Sequence, residues 1–153
     1  MHVLELKVPP VALVLFMAAL MWLASWAMPA FGLMVPAHRF FSVTVAVAGV
    51  VIIGLGIASF RRARTTVNPM KPDTTSSLVV SGVYRLTRNP MYLGILLVLL
   101  GWAIFLSNAV AFLFLPAFIF YMNRFQIEPE EKALNSLFGQ QFVAYTSRVR
   151  RWL

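Results

Sequence analysis

The chain has 153 residues, 60% hydrophobic and only 12% charged, with a mean hydropathy of +0.80 and a formal net charge of +8. A soluble domain carries about 25% charged residues, so this composition argues against one, excludes a disordered chain and points to a membrane protein. The basic excess then suits lipid headgroups rather than nucleic acid, and the absence of cysteine excludes disulfides, thiolate nucleophiles and Cys-ligated metal sites.

A membrane-crossing helix needs about 20 predominantly apolar residues. Three charge-free runs reach or exceed that length, at 9–28, 40–60 and 89–123. The first reads as a retained span, because Glu5 and Lys7 precede it and Trp22 and Trp26 stand near its end, unlike a cleaved signal peptide. In the second, Ala46, Ala48, Gly49, Gly54, Gly56 and Ala58 let another helix backbone approach closely. The third is too long for one crossing, since 35 residues at about 1.5 Å each exceed 50 Å. Its only polar pair, Ser107-Asn108, is a turn signal, so the run folds back as arms at 90–106 and 109–123.

The fold class predicted is therefore all-α: a single membrane domain with four transmembrane helices, at 9–28, 40–60, 90–106 and 109–123. The last two form a helical hairpin. A loop at 61–89 and an amphipathic helical tail at 124–153 complete it. Six basic residues against Asp73 in 61–90, and five against three acidic in 124–153, mark the cytoplasmic side by the positive-inside rule and place both termini there. A bacterial inner membrane is the expected setting.

The loop ends in Arg88-Asn89-Pro90-Met91-Tyr92-Leu93-Gly94. Asn is a strong N-cap and Pro is favoured at the first helical position, so Asn89 and Pro90 are suited to open the third span. A helix start at a polar surface attracts anions, and Arg88 adds to that field. Tyr92 and Gly94, one turn inside, offer a hydroxyl and room for close approach.

Because the hairpin returns to the side it left, Arg124 ends near Arg88. Glu128-Pro129-Glu130-Glu131 then reads as a new helix opening, with Pro at N1 and carboxylates in the first turn. Beyond Gly139, Phe142, Tyr145, Val149 and Trp152 recur at helical spacing among Arg148, Arg150 and Arg151, the pattern of a helix lying in the headgroup plane. Three of the five acidic residues thus stand beside a mouth rimmed by arginines. Carboxylates there suit an ammonium, a sulfonium or a ribose diol, and the arginines suit a carboxylate or phosphate.

These segments resemble the isoprenylcysteine carboxyl methyltransferase family, within the integral membrane methyltransferases that include the phospholipid N-methyltransferases. The matching residues are Gly82-Val83-Tyr84, Arg88 to Gly94, Glu130-Glu131 with Leu134, Phe138-Gly139, Tyr145 and Arg148 to Trp152. The resemblance implies S-adenosylmethionine as methyl donor, with Tyr84, Asn89, Pro90, Tyr92, Gly94, Glu130 and Glu131 at cofactor-site positions, and no metal. Asn89 departs from the His usual in the prenylcysteine-methylating members, which bears on the acceptor more than on the cofactor.

Methyl transfer from a sulfonium is an in-line displacement for which alignment and electrostatics suffice when the nucleophile is a carboxylate. Arg88, Arg124 and Arg148 are the residues expected to orient an anionic, lipophilic acceptor. Three alternatives are a phospholipid N-methyltransferase-like enzyme, a membrane reductase using NADPH, and a non-enzymatic scaffold whose basic loop binds anionic lipid.

Overall fold

The computed structural model describes residues 5–34, 36–63 and 76–153. His2 and the part of the basic loop that holds Arg64, Lys71 and Asp73 lie outside the described residues. Five helices are used here: α1 (Pro10–Ala27), α2 (His38–Arg62), α3 (Pro90–Leu106), α4 (Ala109–Phe138) and α5 (Gln140–Thr146). Short 3₁₀ turns occupy Pro29–Phe31 and Gly82–Arg85.

The first two helices are apolar on all sides and lack a single buried stripe. Val11, Leu15, Phe16 and Trp22 of α1, and Phe40, Val43, Val47, Val50 and Leu55 of α2, all face outward. An apolar surface this continuous is unfavourable in water and matched to hydrocarbon. Among the described residues, three helices are long and apolar enough to cross a membrane: α1, α2 and α4, of 18, 25 and 30 residues. The apolar α3 has 17. It stands at the centre, where Leu99 and Ala103 pack with Leu13 and Met21 of α1 and with Ala111, Phe118 and Met122 of α4.

The small residues of α2 set how closely it meets α3. A Cβ built on Gly94 would lie 2.5 Å from the Gly49 carbonyl oxygen, and one on Gly101 would lie 2.7 Å from that of Ser42. Ser42, Gly49 and Gly56 recur every seven residues on α2, as do Gly94 and Gly101 on α3, so the two backbones touch along one antiparallel seam. Gly54, also in α2, has nothing within 4 Å of its built Cβ. Gly94→Ala is therefore expected to destabilise the protein by about 1–3 kcal/mol through overpacking. Gly54→Ala should be neutral, and thermal unfolding of the two variants in detergent checks the contrast.

The hairpin turn falls at Ser107-Asn108, as predicted. Ser107 takes a left-handed conformation (φ 47°), and Asn108 Oδ1 accepts from the Val110 N–H at 2.9 Å. Asn108 Nδ2 donates to the Met28 carbonyl at 2.9 Å, which ties the turn to the end of α1.

The return arm does not stop at 123. It continues as α4 through Phe138, about 45 Å of helix at 1.5 Å per residue, so the carboxylate cluster stands on the same rod as the return arm. α-Helical bonding does open at Glu128, with Pro129 and the carboxylates in its first turn as expected, but no break separates it from the return arm, because the rod runs through a π-helical stretch, Met122–Ile127, just before it. There the Glu128 N–H reaches back five residues to the Asn123 carbonyl. Proline at 129 has no N–H for the Phe125 carbonyl, and the Leu6 N–H supplies one instead at 3.1 Å.

The tail is also not one amphipathic helix. Gly139, at φ 47°, ends α4, and α5 ends at Thr146. Residues 148–153 turn back and lie against the start of α3, because the exposed backbone groups there offer hydrogen bonds that a surface helix would forgo.

Candidate functional site

The polar end of the bundle brings four segments together: the turn at 82–85, the start of α3, the 126–131 stretch of α4, and the C-terminal residues 150–152. Each is fixed by hydrogen bonds that cross between segments. The Arg88 N–H donates to the Arg150 carbonyl at 3.0 Å, and Asn89 Nδ2 donates to the Arg151 carbonyl at 2.9 Å. Thr87 Oγ1 donates to that same carbonyl at 3.2 Å and accepts from the Asn89 N–H at 3.2 Å. Trp152 Nε1 donates to Asn123 Oδ1 at 3.0 Å.

Asn89 thus does not cap α3 with its side chain, as its residue type predicts. Its amide is spent on the tail, and the neighbouring Thr87 hydroxyl takes the backbone N–H that precedes Pro90. Pro90 is fully buried at the first helical position.

Two carboxylates stand side by side here in different surroundings. Glu130 Oε1 accepts from the buried Tyr92 hydroxyl and from Gln126 Nε2, one turn earlier on the same helix. Glu131 is held by two arginines. Arg151 grips it with Nε at 3.2 Å and Nη2 at 2.6 Å, and Arg88 Nη2 lies 3.3 Å away. A two-pronged arginine contact of this kind adds geometry as well as charge. The Nε of Arg88 is buried with no acceptor among the described residues. A buried N–H of this kind is costly when unpaired, so its geometry favours an incoming anion.

Tyr84 lies buried beside this pair, its ring edge-on to Phe60 at 5.4 Å between centroids. Burial, then the nearby Tyr145 and Glu130, push its phenol above the usual tyrosine range. Tyr145 donates to the Tyr84 carbonyl at 2.7 Å, and burial pushes its own phenol up to about 12. Both phenols stay neutral at physiological pH.

Of the predicted site residues, the fold brings Tyr84, Arg88, Asn89, Pro90, Tyr92, Glu130 and Glu131 together. Three others lie apart. Arg124 faces the N-terminal segment, 3.2 Å from Glu128 and 3.8 Å from Glu5, with its guanidinium over Phe125. Arg148 lines a separate cleft with Arg85. Gly94 sits in the seam against Gly49 and Ile53. Gln126 and Arg151 complete the cluster but do not stand out in the sequence. The four-residue spacing of Gln126 and Glu130 is the one local signal for the first, and nothing local marks Arg151 among the tail arginines.

Among the described residues, no group of three or more His, Cys, Asp or Glu is placed to hold a metal ion.

Comparison with known proteins adds a family to this geometry. The family described as phospholipid methyltransferase matches residues 37–141. Protein-S-isoprenylcysteine O-methyltransferase B of Arabidopsis thaliana is 28% identical over 109 residues, 71% of this chain and 55% of its own length. A probable protein-S-isoprenylcysteine O-methyltransferase of Oryza sativa subsp. indica is 31% identical over 110 residues, 70% of this chain and 56% of its own. The chain therefore spans about half the length of these plant relatives. An uncharacterized protein of Haemophilus influenzae is 48% identical over 63 residues, which is all of that protein and 41% of this chain. No solved structure matches the chain.

Proposed function

The chain belongs to the phospholipid methyltransferase family, and from that membership we propose that it transfers a methyl group from S-adenosylmethionine to a lipophilic acceptor at a membrane surface. The observation that carries this reading is the meeting of Arg88, Tyr92, Glu130 and Glu131 at one polar end of an otherwise apolar bundle. The residues suit the donor: the buried, unpaired Nε of Arg88 fits its carboxylate, and Glu130 fits a cationic group. Bound there, S-adenosylmethionine supplies an electrophilic methyl group and a neutral thioether leaving group.

The protein's own part is positional. Tyr92 and Gln126 fix the position of the Glu130 carboxyl group, so it is already aimed when the donor arrives, and a cationic donor favours its ionised form. Glu131 and Arg151 hold the tail across the start of α3 and limit access of water, with the Arg88 guanidinium beside Glu131. No general base is required for a carboxylate acceptor; an amine or thiol would have to arrive deprotonated.

In the membrane, α1 to α4 form four spans, with α3 shielded at the centre. The basic end, which carries Arg61, Arg62, Arg85 and Arg88, faces the cytoplasm together with both termini. A bacterial inner membrane fits this arrangement.

Calorimetric titration of the detergent-purified protein with S-adenosylhomocysteine is expected to give saturable one-site binding, with NADPH giving none. Absence of heat with the first ligand, in protein shown to be folded, overturns the reading, and saturation by NADPH redirects it to a reductase. Incubating the protein with methyl-labelled donor and a membrane extract then identifies the acceptor by the product that takes up label.

A further inference from the structure

A second polar feature lies next to the donor cluster. A cleft of about 490 Å³ opens between the 80–85 segment and α5 with the residues that follow it, lined by Val80, Arg85, Gln141, Tyr145, Arg148 and Val149. That volume falls within the range of small-ligand sites.

Its charges are unmatched. Arg88, Arg124 and Arg151 each pair with a glutamate, whereas neither Arg85 nor Arg148 has a carboxylate within ion-pair distance among the described residues. Both are exposed and line the cleft, Arg85 from the 80–85 segment and Arg148 from the residues after α5. The rest of the lining is mixed. The Tyr145 hydroxyl already donates its hydrogen bond to the Tyr84 carbonyl, so the residue contributes chiefly its ring, while Val80 and Val149 are apolar. Leu86, 71% exposed, stands on the same segment as Arg85.

The segment that carries Arg85 rests on the end of α2. A Cβ on Gly82 would lie 2.8 Å from Ser59 Oγ, and Tyr84 packs on Phe60, one residue before Arg61 and Arg62. The cleft therefore sits where the apolar helices give way to basic residues, at the level of lipid headgroups. Tyr145 and Tyr84 form the wall between it and Glu130.

We propose that this cleft binds the anionic head of a membrane amphiphile, with Arg85 and Arg148 on its phosphate or carboxylate and Val80 and Val149 against its first methylenes. Two unpaired guanidiniums facing one space match a doubly accepting oxyanion, and the apolar lining distinguishes an amphiphile from a free anion. The amphiphile is the methyl acceptor if the neighbouring cluster holds the donor, as proposed above.

The test is binding of dihexanoyl phosphatidic acid, decanoate and inorganic phosphate to the full chain in a neutral detergent, by thermophoresis, for wild type, R85Q/R148Q and R61Q/R62Q. The cleft variant should bind the two amphiphiles about tenfold more weakly, as expected for loss of charge-assisted hydrogen bonds, and R61Q/R62Q less than about twofold. Equal losses in the two double variants, which remove the same charge, would mean diffuse surface attraction and overturn the proposal. So would inorganic phosphate binding as tightly as dihexanoyl phosphatidic acid, since the site would then read a free anion. S-adenosylhomocysteine titrated into the same samples separates the two ideas. Donor binding without head-group dependence sinks the cleft alone, and head-group dependence without donor binding leaves the cleft and removes its link to methyl transfer.

Discussion

Glu130→Gln is expected to weaken binding of S-adenosylmethionine by about 10- to 100-fold, roughly 1.4–2.8 kcal/mol, while the melting temperature hardly moves. The substitution keeps the shape of the side chain and its Oε1 acceptor, so the Tyr92 hydroxyl and Gln126 Nε2 still have a partner. Only the charge is lost. S-adenosylmethionine carries a sulfonium that the product S-adenosylhomocysteine lacks, so the product should lose clearly less affinity than the donor. Glu130→Ala behaves differently. It strands two buried donors at about 1–3 kcal/mol each and lowers stability as well as binding. Calorimetry with both ligands, beside thermal unfolding, reads all four quantities. Equal losses for donor and product would show that Glu130 does not face the sulfonium, and unchanged affinity for both would remove it from the site.

That Glu130 can be aimed at all depends on features the sequence shows only in part. Charge-free runs and the Ser107-Asn108 pair are enough to place α1, α2, α3 and the turn, because length, hydropathy and turn chemistry are local properties. The spacing of Gly49, Gly94 and Gly101 is equally visible, although which helix each glycine meets is not. Gly94 belongs to a motif that resembles a cofactor site, yet its missing side chain is filled by the Gly49 backbone.

Pro129 marks where α-helical bonding resumes, but it does not show that the rod is continuous, and the reason is definite. Proline after a polar residue and before two glutamates reads as a helix start, and the compensation that lets α4 pass through it is not local. The π-helical stretch Met122–Ile127 alters the hydrogen-bond register, and Leu6, more than a hundred residues away in sequence, donates to the Phe125 carbonyl left open by the proline. As a result Gln126 and Glu130 lie on the rod facing Tyr92. A break at 123 would have left their direction undefined. Asn89 shows the same limit at smaller scale: its residue type suits a cap, yet its side chain is oriented so that Nδ2 donates to the distant Arg151 carbonyl and no N–H of α3 is capped by it.

The contact between Arg151 and Glu131 turns that distant pairing into a measurable latch. Residues 150–152 are held on the start of α3 by the Arg88 N–H and Asn89 Nδ2, which donate to the Arg150 and Arg151 carbonyls, by Trp152 on Asn123, and by the two-pronged grip of Arg151 on Glu131. Charge-assisted hydrogen bonds of this kind contribute about 1.5–3 kcal/mol, less whatever solvent screening removes from a partly exposed pair. Arg151→Gln or Glu131→Gln should therefore raise the population of the open tail about tenfold, the equivalent of 1.4 kcal/mol. Trypsin cleaves after Arg150, whose carbonyl is held by the Arg88 N–H, only when the tail is open, and where closing is faster than cleavage its rate follows that population. Cleavage of either single variant should accelerate about tenfold over wild type. The double variant should cleave little faster than the singles, because the bond it breaks is already gone. Additive acceleration would show that the two residues act separately and that the tail is held by its backbone bonds alone. Arg88 sharpens the comparison, since it contacts Glu131 but not the tail through its side chain. If Glu131 serves as the latch, Arg88→Gln leaves tryptic cleavage near the wild-type rate while weakening S-adenosylhomocysteine binding through loss of the buried Nε donor.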